Sequence, residues 1–549
     1  LKILKKIRKL FNPGQKKYSA QTNMDNLDIS QLRELTKKEK LTNNLETNLS
    51  LIRKYYGNSL GLQVRSINIG PHGIRAATVY VDGMIESSAL EELNRALLID
   101  TVKTGDIPKD EKKLISFIKD KIIISVETDE VNQLDELFDH VLYGDTALII
   151  EGVATALLVD TRGWKTRQIV ESDTETSIRG PREAFIESIN DNLSLLRRRI
   201  LVPQLWVEGF RVGSLTRTRV AMVYIKGLAG EGLLEEMRNR IGKIDADKIM
   251  ESGDVEGFIE DSPFTIFPLM LRTERPDRVE AALLEGQVAV FTDGTPFVLL
   301  APATFFSMLQ SPEDHFEKPP IGSFIRLLRY GAILMSTFLP GFYIAIVNFH
   351  PEMLPTPLFI SIAATREGVP FPIIVELLIM ESVFEILREA GVRLPASIGP
   401  AMSIVGALVL GDAAISAGIV SPPVVIVVAL TAIASFAVPN FALGIAGRII
   451  RFIFVALGGI FGLFGIQLGI FILTVHLCSL RSFGVPYLAP AAPLILSDMK
   501  DFIVRTWVWQ LTTRPRLTGF REPVRQSRRQ ARRYLKILPR KEGDEQDES

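Results

Sequence analysis

From about residue 330 onward the chain carries apolar runs long enough to span a bilayer, and this divides the molecule into two unlike halves. Residues 330–349 (YGAILMSTFLPGFYIAIVNF) hold no charge over roughly the 20 residues that a hydrocarbon core demands. Pro340 lies inside that run and marks a kink, since its ring frees a carbonyl that a neighbouring helix must satisfy. Residues 395–411, 413–440 and 452–480 follow, interrupted only by Asp412, Arg448 and Arg451, and the last run is long enough to tilt. At least four spans are expected. Before residue 320 charged residues recur every few positions. The pattern is that of an α/β soluble N-terminal half followed by an α-helical polytopic membrane domain.

One stretch of the second half breaks its apolar rule. After Pro370 and Pro372 comes IIVELLIMESVFEILREAGVRL, with Glu376, Glu381, Glu385, Arg388 and Glu389 among apolar residues. On a helix, Glu381, Glu385 and Arg388 fall within about 60° of one another and Glu376 lies well away from them. Charges at membrane depth cost roughly 2.5–3.5 kcal/mol each, so they face a cavity or a partner. Three readings stay open at this point: an amphipathic helix at the interface, a ring of carboxylates along an ion path in an oligomer, or an ion-pair network between subunits in which Glu385 and Arg388 neutralise each other. Asp412, in LGDAAISAG, is a second ion-path candidate or a plain loop residue between spans. Pro340, Pro370, Pro372, Pro422 and Pro423 are helix-break or gating candidates.

The flanks set an orientation. The tail after Asp501 contains RPRLTGFREPVRQSRRQARRYLKILPRK, in which Arg and Lys far outnumber the single Glu522; such an excess beside a membrane segment points to the cytoplasm. The start, LKILKKIRKLF, is also basic and lacks a signal peptide's apolar core. Both ends are therefore expected inside, which requires an even number of crossings. Four would serve with the acidic helix re-entrant or interfacial, and six if it pairs with 354–365. The basic tail has no Gly/aromatic recognition pattern, so it reads as a membrane-surface segment and no nucleic acid is expected.

In the first half, residues 1–45 read as a flexible basic arm, 46–175 and 176–320 as two soluble α/β subdomains, 321–495 as a membrane domain of four to six helices and 496–549 as a basic tail. Segments 121–125, 146–150, 154–159 and 220–225 are β-branched runs that alternate with helical patterns at 110–119, 183–198 and 232–241. Asp82-Gly83 after 76–81, and Asp293-Gly294 within QVAVFTDGTPFVLL, predict two hairpins. The glycines of GLAGEG (227–232) lack the Lys-Ser/Thr of a phosphate loop. No nucleophile stands beside a base, and with one Cys and five His there is no Cys/His cluster at metal spacing. No catalytic residue, metal or cofactor is expected. In RGPREAFIESINDNLSLLRRRI (179–200), Gly180-Pro181 sets a turn, Glu183 and Glu187 favour a helix start and Arg197 to Arg199 its end. Arg179, Gly180, Pro181, Glu183, Glu187, Asn192, Arg197 and Arg199 are the interface candidates of this half, with anion binding as the other reading.

Those 22 residues, together with 273–302, EGVPFPIIVELLIMESVFEILREAGVRLP (367–395), 398–433 and FGVPYLAPAAP (483–493), resemble the A-subunit family of GerA-type spore germinant receptors, in order from about residue 50 to 510. The departures are small: Ala184 where the family often has glycine, and His315-Phe316 where tyrosines are common. The resemblance implies an A subunit in the inner membrane of a bacterial endospore, its soluble half cytoplasmic. It would work with B-type and C-type subunits and assemble with itself, as a pentamer, into a nutrient-gated channel that releases monovalent cations to start germination. Glu376, Glu381 and Glu385 would line the path. Two alternatives stand beside this: a non-conducting scaffold of the receptor complex, and a paralogous amplifying channel acting after the receptors.

Overall fold

Apolar residues occupy both faces of 62–69 and 74–81, with Leu62, Val64, Ala77 and Val79 on one side and Ile67, Ile69 and Ala76 on the other, and glycines at 70 and 73, both at positive φ, close the two segments into a hairpin. The structure is a computed structural model that describes residues 29–57, 59–70, 73–100, 115–119, 127–163, 175, 179–393, 410–518 and 522–526. Strands β1 (Leu62–Ile69), β2 (Ile74–Val81), β3 (Thr128–Val131), β4 (Thr146–Ile150) and β5 (Ala156–Val159) form one sheet in the order β1-β2-β4-β5-β3, antiparallel throughout. Helices α1 (Ile29–Lys38), α2 (Leu45–Tyr56), α3 (Ser87–Arg95) and α4 (Leu134–Tyr143) accompany it. Ala77, Val79, Ala147 and Ile149 face α2 and α4, while Ala76, Leu148 and Ile150 face α3 and the helical turn 115–119. With apolar side chains on both faces, the strands read as continuous apolar runs.

The next 120 residues repeat this plan. After α5 (Ile189–Arg199), strands β6 (Leu205–Val212), β7 (Thr218–Ile225), β8 (Leu271–Thr273), β9 (Val288–Thr292) and β10 (Val298–Ala301) form a sheet in the order β6-β7-β9-β10-β8, again antiparallel. Numbered within each sheet, the two orders are identical. The sequence follows: RAATVYVDG (75–83) matches RVAMVYIKG (219–227), and GDTALIIEG (144–152) matches GQVAVFTDG (286–294). The matched glycines 83 and 227, 144 and 286, 152 and 294 all have positive φ. Helices α6 (Glu231–Gly242) and α7 (Ser252–Ile259) cover one face, and α5 and α8 (Pro276–Leu284) the other. The units are joined where Leu60 N donates to Val207 O (2.9 Å) and Val207 N donates to Ser59 Oγ (2.8 Å).

Three local expectations change. Asp293-Gly294 closes the β9–β10 hairpin as expected, but Asp82-Gly83 does not close one: β2 pairs with β1 before it and with β4, and the turn leads into α3. Helix α5 begins at Ile189, capped by Ser188, and not near Glu183. The segment before it is held extended, with Phe185 N donating to Glu274 O (2.8 Å). Residues 29–38, inside the expected arm, form α1 and bury Leu32 and Thr36. The strand expected at 121–125 and most of 395–411 lie outside the described residues; 115–119 and 410–416 are helical.

The second half begins after the short helices α9 (Phe305–Leu309) and α10 (Glu313–Phe316). It comprises α11 (Pro319–Phe349), α12 (Thr356–Arg366), α13 (Ile373–Arg393), α14 (Pro422–Phe436) and α15 (Phe441–Ser479). Among the described residues, α11 and α15 are long and apolar enough to cross a membrane, and α14 is a shorter apolar helix. The expected run 413–440 is broken at 417–421, where Gly418 has φ +65° and Pro422 opens α14. The expected run 452–480 is no single tilted rod. Gly462 (φ 61°, ψ −145°) is non-helical, and a Cβ on Gly469 would meet Phe454 at 2.7 Å, one on Gly465 the carbonyl of Leu457 at 2.4 Å. Residues that far apart meet only if the chain folds back at Gly462. Thus α15 is a helical hairpin, and α11 packs between its arms through Gly341, whose absent Cβ would sit 2.6 Å from Phe454 O. Ile426, Ile433, Phe464 and Phe471 remain exposed, as lipid-facing residues do.

Candidate ion-pair site in the helical half

The acidic helix keeps its charges among partners from neighbouring helices. Glu381, Glu385 and Arg388 stand four and three residues apart on α13, so they share a stripe. Arg448 and Arg451 make the matching stripe on the first arm of α15. Arg451 reaches Glu381 at 3.1 Å and Glu385 at 2.8 Å; Arg448 reaches Glu385 at 2.7 Å; Arg388 lies 3.8 Å from Glu385. Arg388 also donates to Ser435 Oγ at 2.7 Å. Glu381 and Arg451 are almost completely buried. Three guanidiniums thus meet two carboxylates inside the bundle.

Glu376, off that stripe, is fully buried by a different set of partners. It accepts from Ser421 N (2.9 Å) and Ser421 Oγ (2.7 Å), and Arg366 lies 3.4 Å away. It therefore ties α13 to the turn before α14 and to the end of α12. Asp412 is exposed on 410–416 and joins none of these groups. Pro340 sits buried within α11, which continues through it. Pro370 and Pro372 precede α13, with Pro372 O accepting from Val375 and Glu376 N, and Pro422 and Pro423 occupy the first turn of α14. Pro422 and Pro423 stand where a missing N–H costs nothing.

Sequence reasoning found the acidic stripe and missed its counterpart. Arg448 and Arg451 registered as interruptions of an apolar run, although two arginines three residues apart are the complement of glutamates four apart. Arg366 and Ser421 carried no signal.

The motif at 179–200 is a junction. Gly180 (φ +132°) lies against Phe316, where a Cβ would come within 2.6 Å, and Arg179 lies 3.7 Å from Glu317. Pro181 O accepts from Arg275 (3.2 Å) and Glu187 O from Gly294 N (2.9 Å). Glu183 pairs with Arg198 and Arg199 (3.4 and 2.9 Å), and Arg199 with Glu280 (3.4 Å). Asn192 bonds both backbone groups of Ile186, and Arg197 donates to Leu60 O in the first unit. The motif therefore links the two sheet units and the foot of α11.

Glu260 and Glu208 are among the groups of the first half that their surroundings move from the ordinary range, in opposite directions. Burial, then the neighbouring Glu256 carboxylate, pushes Glu260 up to about 7 against the opposing Arg272, with Asp261 adding to the rise. Burial would also raise Glu208, but bonds from Arg238 and Tyr224 outweigh it and hold it below the ordinary range. Among the described residues no group of three or more His, Cys, Asp and Glu is placed to hold a metal ion.

A pair of duplicated sheet units joined to a helical half with exposed apolar faces and buried ion pairs defines a two-part architecture. Residues 38–517 match the Bacillus/Clostridium GerA spore germination protein family, and the chain belongs to it. This is a family of germination proteins and not of enzymes. The chain is 45% identical over 487 residues to spore germination protein KA of Bacillus subtilis (strain 168), covering 88% of this chain and 89% of that protein. It is 41% identical over 473 residues to the uncharacterized membrane protein YfkQ of the same organism, covering 86% and 91%. It is also similar to the crystal structure of the N-terminal domain of the A subunit of the Bacillus megaterium spore germinant receptor GerK3. That likeness has 36% identity and a TM-score of 0.39, over 49% of this chain and 98% of that one.

Proposed function

We propose that this chain is the A-type subunit of a spore germinant receptor in the spore inner membrane, with its two-sheet half and basic tail in the cytoplasm. It assembles with copies of itself, as a pentamer, and with B-type and C-type subunits into a nutrient-gated path for monovalent cations. The observation that carries the reading is the family match across 38–517, which covers both halves as one unit. The exposed apolar faces of α14 and α15 support the membrane placement. In a single chain the carboxylates of Glu376, Glu381 and Glu385 are all engaged. Lining a path for cations therefore requires a second arrangement of α13 against α15, which a nutrient signal favours by differential contacts.

That engagement also favours a second reading, in which α13 is a structural seam and the chain a scaffold for conduction elsewhere. The two separate in liposomes holding the purified chain with its B and C partners and candidate nutrients. Flux that changes in size or cation selectivity in Glu381→Gln or Glu385→Gln, with assembly intact, supports the ion path. Unchanged flux in both variants removes these carboxylates from it, and no flux from any assembled preparation leaves the scaffold.

A further inference from the structure

Where the second sheet unit meets the helical half lies a cavity of about 380 Å³. Five guanidiniums line it: Arg275 and Arg278 from the start of α8, Arg329 from the foot of α11, Arg388 near the end of α13 and Arg448 on α15. Two carboxylates, Glu175 and Glu313, share the lining. The first turn of α15 also faces it, adding the positive end of a helix.

Arg278 is paired with Glu175 and Arg329 with Asp314, and Arg275 with Asp277. The α13–α15 cluster sets Arg388, Arg448 and Arg451 against Glu381 and Glu385 alone. Among the described residues three guanidiniums thus share two carboxylates in direct contact, and Glu313 of the cavity wall is a further carboxylate beside them. Arg388 Nε and Arg451 Nε are buried with no acceptor among the described residues. Arg388 and Arg448, the two cluster members in the cavity wall, retain 14% and 16% side-chain exposure, so both can be approached from the cavity.

We infer that this cavity binds a phosphate-bearing anion through Arg388, Arg448 and Arg278, and that the anion bridges the α13–α15 seam to the start of α8 in the second sheet unit. Guanidinium forks match phosphate oxygens in a bidentate way, and basic pockets between helices at a membrane surface suit phospholipid head groups. The anion is the head group of an acidic lipid or a free phosphate; the lipid source rests on the membrane reading above, whereas the free phosphate does not.

The test uses the full chain purified in detergent, titrated with phosphatidylglycerol in one arm and inorganic phosphate in the other, with phosphatidylcholine as the control lipid. Native mass spectrometry reads stoichiometry and thermal shift reads affinity. One anion per chain is expected, and each of Arg388→Gln, Arg448→Gln and Arg278→Gln weakens it roughly tenfold. Arg393→Gln, on the exposed end of α13, leaves it unchanged. Should Arg388→Gln fail to fold, Arg278→Gln and Arg448→Lys carry the comparison, the latter keeping the charge and losing the fork. Saturable binding in the lipid arm alone assigns the head group, and in the phosphate arm alone the free anion. No saturable binding in either arm, or variants that bind as tightly as the wild type, overturns the site.

Discussion

Arg451 is the residue on which the seam between α13 and α15 turns, and Arg451→Met is the perturbation that weighs it. The guanidinium reaches Glu381 at 3.1 Å and Glu385 at 2.8 Å. At an effective dielectric of about 20 each contact amounts to ~5–6 kcal/mol before desolvation. After the substitution Glu385 keeps Arg448 and Arg388, but Glu381 has no cation within salt-bridge reach among the described residues and stays buried. Breaking a buried pair from one side costs about 3–5 kcal/mol, because the other charge is left uncompensated. The double variant Arg451→Met/Glu381→Gln removes that charge and is expected to recover all but about 1 kcal/mol, the worth of one lost hydrogen bond. Arg393→Gln breaks an exposed pair with Glu389 and sets the baseline, below about 1 kcal/mol. The assay is reversible chemical unfolding of the purified full chain in detergent, as a double-mutant cycle. If Arg451→Met is as stable as Arg393→Gln, or the double variant no better than the single, the two stripes do not meet in the folded protein.

The close approach of α11 to both arms of α15 predicts that Gly341→Ala costs about 1–3 kcal/mol in the same assay, since its Cβ would overlap Phe454 O. Gly444→Ala, with open space around it, is neutral or slightly stabilising. Glu260, raised in the fold to about 7, holds a proton that the unfolded chain releases near 4.5. The stability this gives is fully present below the unfolded value and is lost as pH rises through about 7. Glu260→Gln is therefore expected to raise the melting temperature at pH 8 and leave it nearly unchanged at pH 4; an equal shift at both would show that the carboxylate titrates normally. With Cys478 replaced by serine, a cysteine at the exposed Met353 and another at the exposed Leu215 should react with an impermeant thiol reagent from opposite sides of sealed vesicles. Labelling of both from one side would remove the membrane reading of α11.

Much of this architecture was legible because it rests on patterns with a period. The bipartite division follows from charge density alone, and β4, β5, β7 and α6 follow from β-branched runs and amphipathic spacing. The duplication was equally present, in RAATVYVDG against RVAMVYIKG, but it shows only when two distant segments are laid side by side. The Asp-Gly signals divide for a tertiary reason: both turns are tight, yet only that at 293–294 stands between strands that pair. The hairpin in α15 was hidden because a glycine in an apolar helix usually marks close packing. Gly458, Gly459, Gly462, Gly465 and Gly469 look alike until one of them adopts φ +61°.

The reversal at Gly462 bears on topology more than its single residue suggests. At one end of the bundle Gly462 meets Phe349 and His350, where α11 ends. At the other end, the second arm of α15 delivers its last turn back to the sheet half. His476 lies 3.1 Å from Thr265, Ser482 bonds Leu269 O and Ala303 N, and Tyr487 packs against Phe267 and Phe305. The chain thus leaves the second sheet unit along α11 and comes back to that same unit along α15. A chain that departs from and returns to one body on one side has crossed whatever lies between an even number of times. The return arises from a glycine that bends one apolar run into two antiparallel arms, and not from a further charge-free run.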